Sequence, residues 1–421
     1  MSKRILSFLM VCFLAFSLYI SVAAQTASPQ IISQTAVVMD ANSGQVLYQK
    51  NMHQKMYPAS ITKIMTVLLA VENTNPSDVI TMSHDAVFSV GRDTSHIALD
   101  EGEQLTVEQA CYAAMLPSAN DACNGIAEFV AGSTEDFAKM MTSRAKSLGA
   151  TNTNFVTTNG LHDDNHYTTA YDMALITQEA AKNPLFMEYA GTITYQMAPT
   201  NKQPEVRNFH NGHSMMQPTN YKYDDVIGGK TGFTNQAQHT LVTIAQRGNV
   251  KLIVVTLNSP AKSDKYKDTT ALLDYCFDNF YEVEVDATEY ASDFIAPEGD
   301  TVSPNTQQIM LHNSLTVDDI KSKSQLESES EDGYDVSVEL SIDDENGVMH
   351  PTIGATTVSV THDKPQRSIL WTIIATIFKI VAILILAFIV FVICLRIFYK
   401  IRRIIRRRRR RKMARQLRNQ K

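Results

Sequence analysis

Apolar residues recur with two different periods up to about residue 281. Alternating runs at residues 35–39 and 45–49 lie on either side of a turn-forming segment, Asp40-Ala41-Asn42-Ser43-Gly44, and predict a β-hairpin. Helical spacing begins just after Pro58, in a run so apolar on every side that a buried helix is expected. Further helices are predicted at residues 83–90, between Thr106 and Pro117, and at 121–130, 134–148, 170–183 and 268–281.

The strand-like pattern returns from Val226 onward. β-Branched, apolar runs at residues 241–245 and 251–257 are separated by Arg247-Gly248-Asn249 and predict two strands. Earlier in the chain, residues 97 and 99 are also predicted to be strand-like. Strands near both ends with helices between them predict one mixed α/β domain over residues 25–282. Its terminal segments are expected to complete a common sheet.

The remaining segments differ in composition from this domain. Residues 283–368 are acidic with short alternating runs, which predict a small β-rich domain. Residues 369–398 are apolar and long enough for one transmembrane helix, and residues 399–421 form an Arg-rich tail predicted to stay in the cytoplasm. Residues 1–24 are predicted to be a signal peptide, with an uncleaved anchor as the alternative.

The net charge of −6 conceals a strong asymmetry. Residues 25–368 contain all 44 acidic residues but only 21 of the 38 basic ones, which argues against nucleic acid as a partner. The basic tail directly follows the apolar span, so attraction to anionic lipid of the cytoplasmic membrane is the simpler explanation for it. The predicted topology is a single-pass protein of the cell membrane with an extracytoplasmic body.

The five cysteines do not form a disulfide framework. Cys12 and Cys394 lie in the predicted signal peptide and the apolar C-terminal run. Cys111, Cys123 and Cys276 are predicted to be buried free thiols, and pairing between Cys111 and Cys123 stays open. No group of His and Cys has metal-ligand spacing, so neither a metal nor another cofactor is predicted.

A hydroxyl and an amine lie three residues apart where the buried helix begins. Ser60 and Lys63 would share one face of that helix, within hydrogen-bonding reach of each other. Burial would lower the pKa of Lys63 so that it can act as a base toward Ser60, and the N–H groups of a helix start favour a developing oxyanion. Because Ser-x-x-Lys is short, a solvated lysine beside a serine cap is the alternative.

Two later segments contain residue types that suit acyl transfer. Ser118 and Asn120 lie in a predicted loop between helices. Gly228-Gly229-Lys230-Thr231-Gly232 precedes the C-terminal strands, with glycines that allow close backbone approach and a lysine that can hold a substrate carboxylate. Taken singly, the first segment is more typical of a helix cap and the second of a turn.

In this order the three segments resemble the Ser-x-x-Lys, Ser-x-Asn and Lys-Thr-Gly motifs of penicillin-recognising serine enzymes. Residues 58–66, 118–122, 166–174 and 229–234 are similar to those of the D-alanyl-D-alanine carboxypeptidases, the low-molecular-mass penicillin-binding proteins. The similarity covers residues 36–281. It implies a serine β-lactamase/transpeptidase-like α/β fold with an antiparallel sheet flanked by helices, peptidoglycan stem peptides as substrates, and β-lactam antibiotics as covalent inhibitors.

The resemblance implies a catalytic role for four residues. Ser60 attacks the carbonyl between two D-alanines, and Lys63 takes its proton. Ser118 relays a proton toward the leaving amine, and Asn120 positions Lys63 and the substrate amide. Water then deacylates Ser60, which completes the removal of one D-alanine from a stem pentapeptide.

The resemblance also implies a substrate-binding segment. Lys230 and Thr231 hold the terminal carboxylate of the substrate, followed in the same motif by Gly232. The N–H groups of Ser60 and Phe233 form the oxyanion hole. The family often has an arginine after the last strand, whereas this chain has lysines there, so the second carboxylate contact is not assigned: Lys262, Lys265 and Lys267.

Three further features depart from the family pattern. Ala119 replaces a frequent glycine, with little chemical consequence expected. Residues 157–161 differ from the usual sequence and receive no role. Family members often end in an amphipathic helix on the membrane surface, whereas this chain has a predicted span and a basic tail.

Alternative functions stay open. A β-lactamase would need a deacylating glutamate between the second and third motifs, where Glu179 and Glu188 fall without a recognisable setting. A transpeptidase or D,D-endopeptidase would use the same acyl-enzyme, so the sequence does not separate them from a carboxypeptidase. A non-catalytic, membrane-anchored wall-binding protein is the last alternative, and the intact motif residues argue against it.

Overall fold

The computed structural model describes residues 28–291, 300–302, 306–313, 320–330, 333–342 and 354–362. The helices in this part of the chain are α1 (Lys63–Asn73), α2 (His84–Phe88), α3 (Val107–Met115), α4 (Asn120–Ala131), α5 (Thr134–Ser147), α6 (Ala170–Ala180), α7 (Pro184–Gly191) and α8 (Lys262–Asn279). The strands up to residue 259 are β1 (Thr35–Asp40), β2 (Val46–Lys50), β3 (Val79–Thr81), β4 (Gln104–Thr106), β5 (Thr194–Met197), β6 (Arg207–His210), β7 (Val226–Thr234), β8 (Gln238–Arg247) and β9 (Val250–Ser259). Short 3-10 helices cover Ala59–Thr62, Ser214–Met216 and Ala287–Ala291.

An antiparallel five-stranded sheet forms the centre of the fold, in the order β2–β1–β9–β8–β7. The N-terminal hairpin joins the C-terminal strands through the pairing of β1 with β9. The prediction that the two ends of the domain complete one sheet is therefore confirmed. Strand β7 lies at the edge of the sheet, so one side of its backbone has no strand partner in the described part of the chain.

Helices cover both faces of this sheet, because its residues alternate between two apolar cores. On β1, Val37 and Met39 pack in the larger core together with α1, which is buried almost all round, as predicted. Ala36 and Val38 face the opposite way and pack with Tyr266 and other residues of α8. The sheet is therefore covered by α1 and its neighbouring helices on one face and by α8 on the other.

Helix caps account for several of the observed boundaries. Thr106 forms a capping box with Gln109 at the start of α3, as its sequence setting predicts. Ser83 caps α2 by accepting a hydrogen bond from the Ala86 N–H. The pattern did not indicate α7, although Asn183 caps it and Pro184 is its first residue, which is a recognisable start signal.

Three predicted elements differ from the structure. Helix α8 begins at Lys262 rather than at residue 268. The Lys-Thr-Gly segment lies inside strand β7, not in a turn before the strands, because pairing with β8 overrides the low strand propensity of its glycines. Residues 97 and 99 are irregular, since their N–H groups bind the carboxylate of Asp121 instead of another strand.

Strands also follow the central domain. They are β10 (Phe280–Asp286), β11 (Asp300–Val302), β12 (Thr306–His312), β13 (Ile320–Ser330), β14 (Gly333–Ile342) and β15 (Gly354–His362). Strand β10 pairs with β12 in antiparallel orientation, and the other four are hydrogen-bonded in the order β11–β15–β14–β13. The predicted domain boundaries remain predictions.

The predicted signal peptide (1–24), transmembrane helix (369–398) and Arg-rich tail (399–421) lie outside the described residues. Among the residues that the structure describes, no helix combines the length and apolar character needed to cross a membrane.

Candidate active site

The predicted nucleophile lies in a strained turn at the start of the buried helix. Ser60 belongs to the 3-10 helix Ala59–Thr62, which runs directly into α1 at Lys63. Ala59 adopts a left-handed backbone conformation with φ of +51°, which costs a non-glycine residue roughly 1–2 kcal/mol. Strain of this kind persists only where neighbouring contacts hold it, and it is typical of functional sites.

Lys63 connects three separate parts of the chain. Its Nζ donates to Ser60 Oγ at 3.0 Å, to Asn120 Oδ1 at 2.8 Å and to the carbonyl oxygen of Asn159 at 2.7 Å. The side chain is fully buried, and this burial lowers the pKa of Lys63 to about 8. An amine with this pKa has an appreciable neutral fraction near neutral pH, as a general base requires.

Ser118 and Asn120 reach the site from the connection between α3 and α4. Asn120 is the first residue of α4, and its position is set partly by its N–H, which donates to the Ser95 carbonyl at 2.8 Å. Ser118 has φ of +65°, and its buried Oγ has no hydrogen-bond partner among the described residues. A buried hydroxyl without a partner is available to a ligand, and Ser118 lines the same cavity as Ser60.

The edge strand β7 forms one wall of that cavity through Thr231, Gly232 and Phe233. A Cβ on Gly232 would lie 2.9 Å from the backbone nitrogen of Ser60, so only glycine allows the strand to approach the nucleophile this closely. The Phe233 side chain is half exposed and its ring packs against His239. The absence of a side chain at Gly232 therefore allows the strand to pack directly against the nucleophile turn.

Lys230 lies in the same strand but is buried rather than part of the cavity lining. Its Nζ donates to the Thr231 carbonyl at 3.1 Å. Burial, assisted by the nearby charge of Lys63, holds the pKa of Lys230 well below its usual range. A carboxylate that reached this lysine would stabilise its charged form and raise that pKa.

A third buried lysine, Lys265, does line the cavity. Of the three lysines after the last strand of the sheet, Lys262 and Lys265 line it, whereas Lys267 is exposed elsewhere. Lys265 is buried and donates to the Thr240 carbonyl at 3.2 Å. Burial and the neighbouring charge of Lys262 lower the pKa of Lys265 to about 7. The sequence pattern did not single out Lys265, because its orientation depends on where α8 begins.

The Asn159 carbonyl is the other contact that the sequence did not indicate. Asn159 lies in the segment to which no role was assigned, yet it supplies the shortest hydrogen bond to Lys63. A backbone oxygen carries no side-chain signature, so only the neighbouring Gly160 offered a signal. Gly160 has φ of +86° and lies directly against the Ala59 carbonyl, where any side chain would collide.

These elements enclose one cavity of about 730 Å³. Asp93 and His162 also line it, and the His162 ring packs edge-on against Tyr57. Of the residues predicted from the sequence, the following line it directly: Ser60, Ser118, Asn120, Thr231, Gly232 and Phe233. Lys63 and Lys230 lie behind this surface, both buried.

Comparison with known proteins agrees with this geometry. A family model described as D-alanyl-D-alanine carboxypeptidase matches residues 22–261, more than half of the chain. The chain belongs to the D-alanyl-D-alanine carboxypeptidase family. The D-alanyl-D-alanine carboxypeptidase DacF of Bacillus subtilis is 34% identical over 254 residues, which are 59% of this chain and 63% of that protein. The chain thus matches just under two thirds of the length of this relative.

Solved structures show the same fold for this member of the carboxypeptidase family. Penicillin-binding protein 5 of Haemophilus influenzae has a TM-score of 0.65 and 26% identity, over 80% of this chain and 99% of that one. The DD-transpeptidase of Streptomyces K15 has a TM-score of 0.56 and 28% identity, over 60% of this chain and all of that one. The antiparallel sheet with its helices is therefore the penicillin-binding, transpeptidase-like α/β fold.

Proposed function

We propose that this chain is a serine D,D-carboxypeptidase that removes the terminal D-alanine from peptidoglycan stem pentapeptides through an acyl-enzyme on Ser60. The observation that carries the proposal is the hydrogen bond between Lys63 Nζ and Ser60 Oγ beside a cavity lined by a further buried lysine. Among the described residues, no acidic side chain accepts a hydrogen bond from Lys63 to hold it in the charged form.

In the acylation step, Ser60 Oγ bonds to the carbonyl carbon of the scissile amide while its proton moves to Lys63 Nζ. The N–H groups of Ser60 and Phe233 stabilise the oxygen that becomes negative. The C–N bond then breaks as Ser118 gives its proton to the nitrogen of the leaving D-alanine and takes up the proton held by Lys63. In deacylation, water adds its hydroxyl to the acyl carbon and gives its other proton to Lys63. The bond between that carbon and Ser60 Oγ then breaks, and Lys63 returns the proton to Ser60 Oγ.

The terminal carboxylate of the substrate is bound by the hydroxyl of Thr231 and by the two buried ammonium groups of Lys230 and Lys265. Both lysines lie in low-dielectric surroundings where charge-assisted hydrogen bonds are strong. Lys265 thus supplies the second carboxylate contact that the motifs left unassigned. β-Lactams carry a carboxylate as well, so the same groups would orient them for acylation of Ser60.

The deciding experiment measures D-alanine release from a diacetyl-lysyl-D-alanyl-D-alanine peptide by the full-length protein purified in detergent, with and without Ser60→Ala. Intact mass before and after incubation with penicillin gives a second readout. We expect release and one covalent adduct from the wild type and neither from the variant. A wild-type protein that releases no D-alanine and forms no adduct would overturn the proposal.

A β-lactamase is the weaker alternative on structural grounds. Glu179 is paired with Arg144 and Lys182, and Glu188 accepts a hydrogen bond from the Tyr112 hydroxyl. Neither glutamate lines the cavity, so neither is placed to activate a deacylating water. Rapid turnover of penicillin, instead of a long-lived adduct, would favour the β-lactamase.

A D,D-transpeptidase is the closer alternative, because the Streptomyces protein with this fold carries that name. The two activities share the acyl-enzyme and differ in whether water or an amine accepts the acyl group. Adding glycine or a D-amino acid to the assay separates them. Formation of the exchanged peptide in preference to hydrolysis would assign transpeptidation, and a non-catalytic wall-binding protein would show neither product.

For localisation we propose a signal peptide at residues 1–24, an extracytoplasmic catalytic domain over 25–282, a small β-rich domain over 283–368, and a membrane anchor at 369–398 with a cytoplasmic tail at 399–421. Apolar length, the basic tail, and the extent of the match to the Haemophilus protein support this arrangement. Deleting residues 369–421 should move penicillin-binding activity from the membrane fraction to the soluble fraction. Continued membrane association would contradict the anchor.

A further inference from the structure

His166 is a buried side chain to which the proposed reaction assigns no task. It lies immediately before the Tyr167–Thr169 segment that precedes α6, and only 2% of it is exposed. Its ring lies between the nucleophile turn and the segment that contains Asn159. Both neighbours touch the reacting groups, so the orientation of this ring is relevant to catalysis.

The hydrogen bonds of the ring identify its tautomer. The N–H groups of Val156 and Thr157 both donate to Nδ1, at 2.9 and 3.1 Å. A nitrogen that accepts hydrogen bonds carries no proton, so the proton of the neutral ring is on Nε2. Nε2 lies 2.9 Å from Thr62 Oγ1 and therefore donates to it. Burial lowers the pKa of His166 to about 4, which agrees with a neutral ring.

The chain of hydrogen bonds continues from Thr62 to the nucleophile turn. Thr62 Oγ1 accepts from His166 and donates its own proton to the Ala59 carbonyl at 2.8 Å. Ala59 is the strained residue that immediately precedes Ser60. Two consecutive hydrogen bonds with defined donors therefore connect the imidazole to the residue that sets the direction of the nucleophile.

The other side of the ring holds the segment that contacts Lys63. The Val156 and Thr157 N–H groups bound by His166 lie three and two residues, respectively, before the Asn159 carbonyl that accepts from Lys63. Gly160 presses against the same Ala59 carbonyl that Thr62 binds. The segment and the turn thus meet at one point, and His166 is hydrogen-bonded to both.

We propose that His166 is a positioning residue for the acylation step: its neutral ring connects the Val156–Gly160 segment to the nucleophile turn through Thr62, and so sets Asn159 and Ser60 around Lys63. The inference rests on the proposed acyl-enzyme function. This positioning role differs from a general packing role. Nδ1 accepts hydrogen bonds from the Val156–Gly160 segment, Nε2 donates to Thr62, and the effect on the nucleophile turn passes through the Thr62 hydroxyl.

The test compares the rate of Ser60 acylation by a fluorescent penicillin in five full-length proteins: wild type, His166→Ala, Thr62→Val, the double variant, and His166→Gln. Valine keeps the shape of threonine without its hydroxyl, and glutamine offers one acceptor and one donor, as the neutral imidazole does. Asn154→Ala is the matched control, because it removes the hydrogen bond from Asn154 Nδ2 to the Asn165 carbonyl in the same region without touching Thr62. Thermal unfolding is recorded for each protein.

We expect each single variant, His166→Ala and Thr62→Val, to acylate roughly 10²-fold more slowly, the loss that misplacing a reactive group typically causes. The double variant should lose no more than the slower single variant, because both changes break one connection. For the peptide, kcat should fall with KM nearly unchanged. His166→Gln should restore most of the rate, and Asn154→Ala should match the wild type.

Several results would overturn the inference. One is additive losses in the double variant, and another is a Thr62→Val protein that acylates at the wild-type rate. Losses that simply follow the melting temperature across all variants, including His166→Gln, would mean that His166 only supports folding. A wild-type protein that forms no adduct would instead refute the proposed function, so the two failures are distinguishable. Thr62→Val keeps the test valid if His166→Ala does not fold.

Discussion

Three buried lysines lie at or behind the cavity surface, and they fall into two groups, a base group and an anion group. The groups differ in how many N–H donors of each Nζ make hydrogen bonds. Lys63, the base group, donates to three oxygens from three parts of the chain. Lys230 and Lys265, the anion group, each donate to one backbone carbonyl among the described residues. An ammonium has three N–H donors, so the base group is saturated while the anion group retains free donors.

This difference assigns different chemistry to identical side chains in similarly buried positions. Burial lowers the pKa of Lys63, Lys230 and Lys265 alike. The three oxygens fix Lys63 Nζ in place against Ser60. In its neutral form Nζ keeps two N–H donors for the Asn120 and Asn159 oxygens and turns its lone pair to the Ser60 hydroxyl, so it can take that proton but has no donor left for a substrate carboxylate. The incomplete hydrogen bonding of Lys230 and Lys265 favours an arriving anion, which would satisfy the donors and restore the charge.

The strongest test of this contrast removes the base. Lys63→Met keeps much of the volume but has no proton acceptor, so acylation by penicillin should slow by roughly 10²–10⁴-fold, the usual contribution of a general base. Single-turnover kinetics with a fluorescent penicillin measures the rate. Lys139→Met, which removes an exposed lysine paired with Asp136, is the control. A loss of less than tenfold at Lys63 would show that another group takes the proton.

Removing Lys230 from the anion group should have the next largest effect. Lys230→Gln should lower kcat/KM for a D-Ala-D-Ala peptide by about 10²-fold, because it deletes a buried charge-assisted contact. The same peptide with a C-terminal amide lacks the carboxylate and should not distinguish variant from wild type. If both peptides lose activity equally, Lys230 acts on the reacting groups and not on the carboxylate.

Lys265 should have a smaller effect that appears mainly in binding. Lys265→Gln should raise KM for the carboxylate peptide by about tenfold, as expected for the loss of one hydrogen bond to a charged group. Lys267→Gln, an exposed lysine two residues further along α8, should leave KM unchanged. Equal effects at the two positions would indicate only the general positive charge of this helix.

The two groups should also respond to pH with opposite signs. Lys63 must be neutral to accept a proton, so kcat should rise with pH as this lysine, whose pKa is about 8 in the free protein, loses its proton. Lys265 must be charged to hold a carboxylate. Its pKa is about 7 in the free protein, so it loses its charge as the pH rises through this value. KM should therefore increase by a few-fold above pH 7. Lys265→Gln should abolish the KM change and leave the rise in kcat. A kcat that falls between pH 7 and 8 would contradict Lys63 as the base.

The sequence predicted the local part of the site because its geometry is local. Ser60 and Lys63 are three residues apart at a helix start, a spacing that places both side chains on one face and within reach of the 3.0 Å hydrogen bond that the structure shows. Buried helix α1 and the Thr106 capping box follow from equally local patterns, whereas the sheet shared by the terminal segments was predicted from the order of strands and helices along the chain. The order of the three motifs was sufficient to indicate the family.

The remaining part of the site depends on contacts between distant segments. Asn159 acts through its backbone oxygen, so its residue type carried no information about the contact with Lys63. The position of Lys265 depends on α8 starting six residues earlier than the apolar pattern indicated. The sequence pattern favoured a turn at residues 228–232, because glycine has a low strand propensity. Pairing with β8 instead makes this segment a strand that forms the cavity wall.

The sequence by itself determined which residues supply the chemistry: a hydroxyl with an amine one turn away, a second hydroxyl with an amide, and a lysine among glycines. Only the tertiary structure decided what each lysine can do. Burial, without an ion pair to any acidic side chain in the part of the chain that the structure describes, lowers the pKa of all three. The number of oxygens that the fold brings to each Nζ then separates the base from the anion-binding pair. The Asn120 and Asn159 oxygens that complete the contacts of Lys63 come from segments 57 and 96 residues away, too far for a local sequence pattern to indicate them.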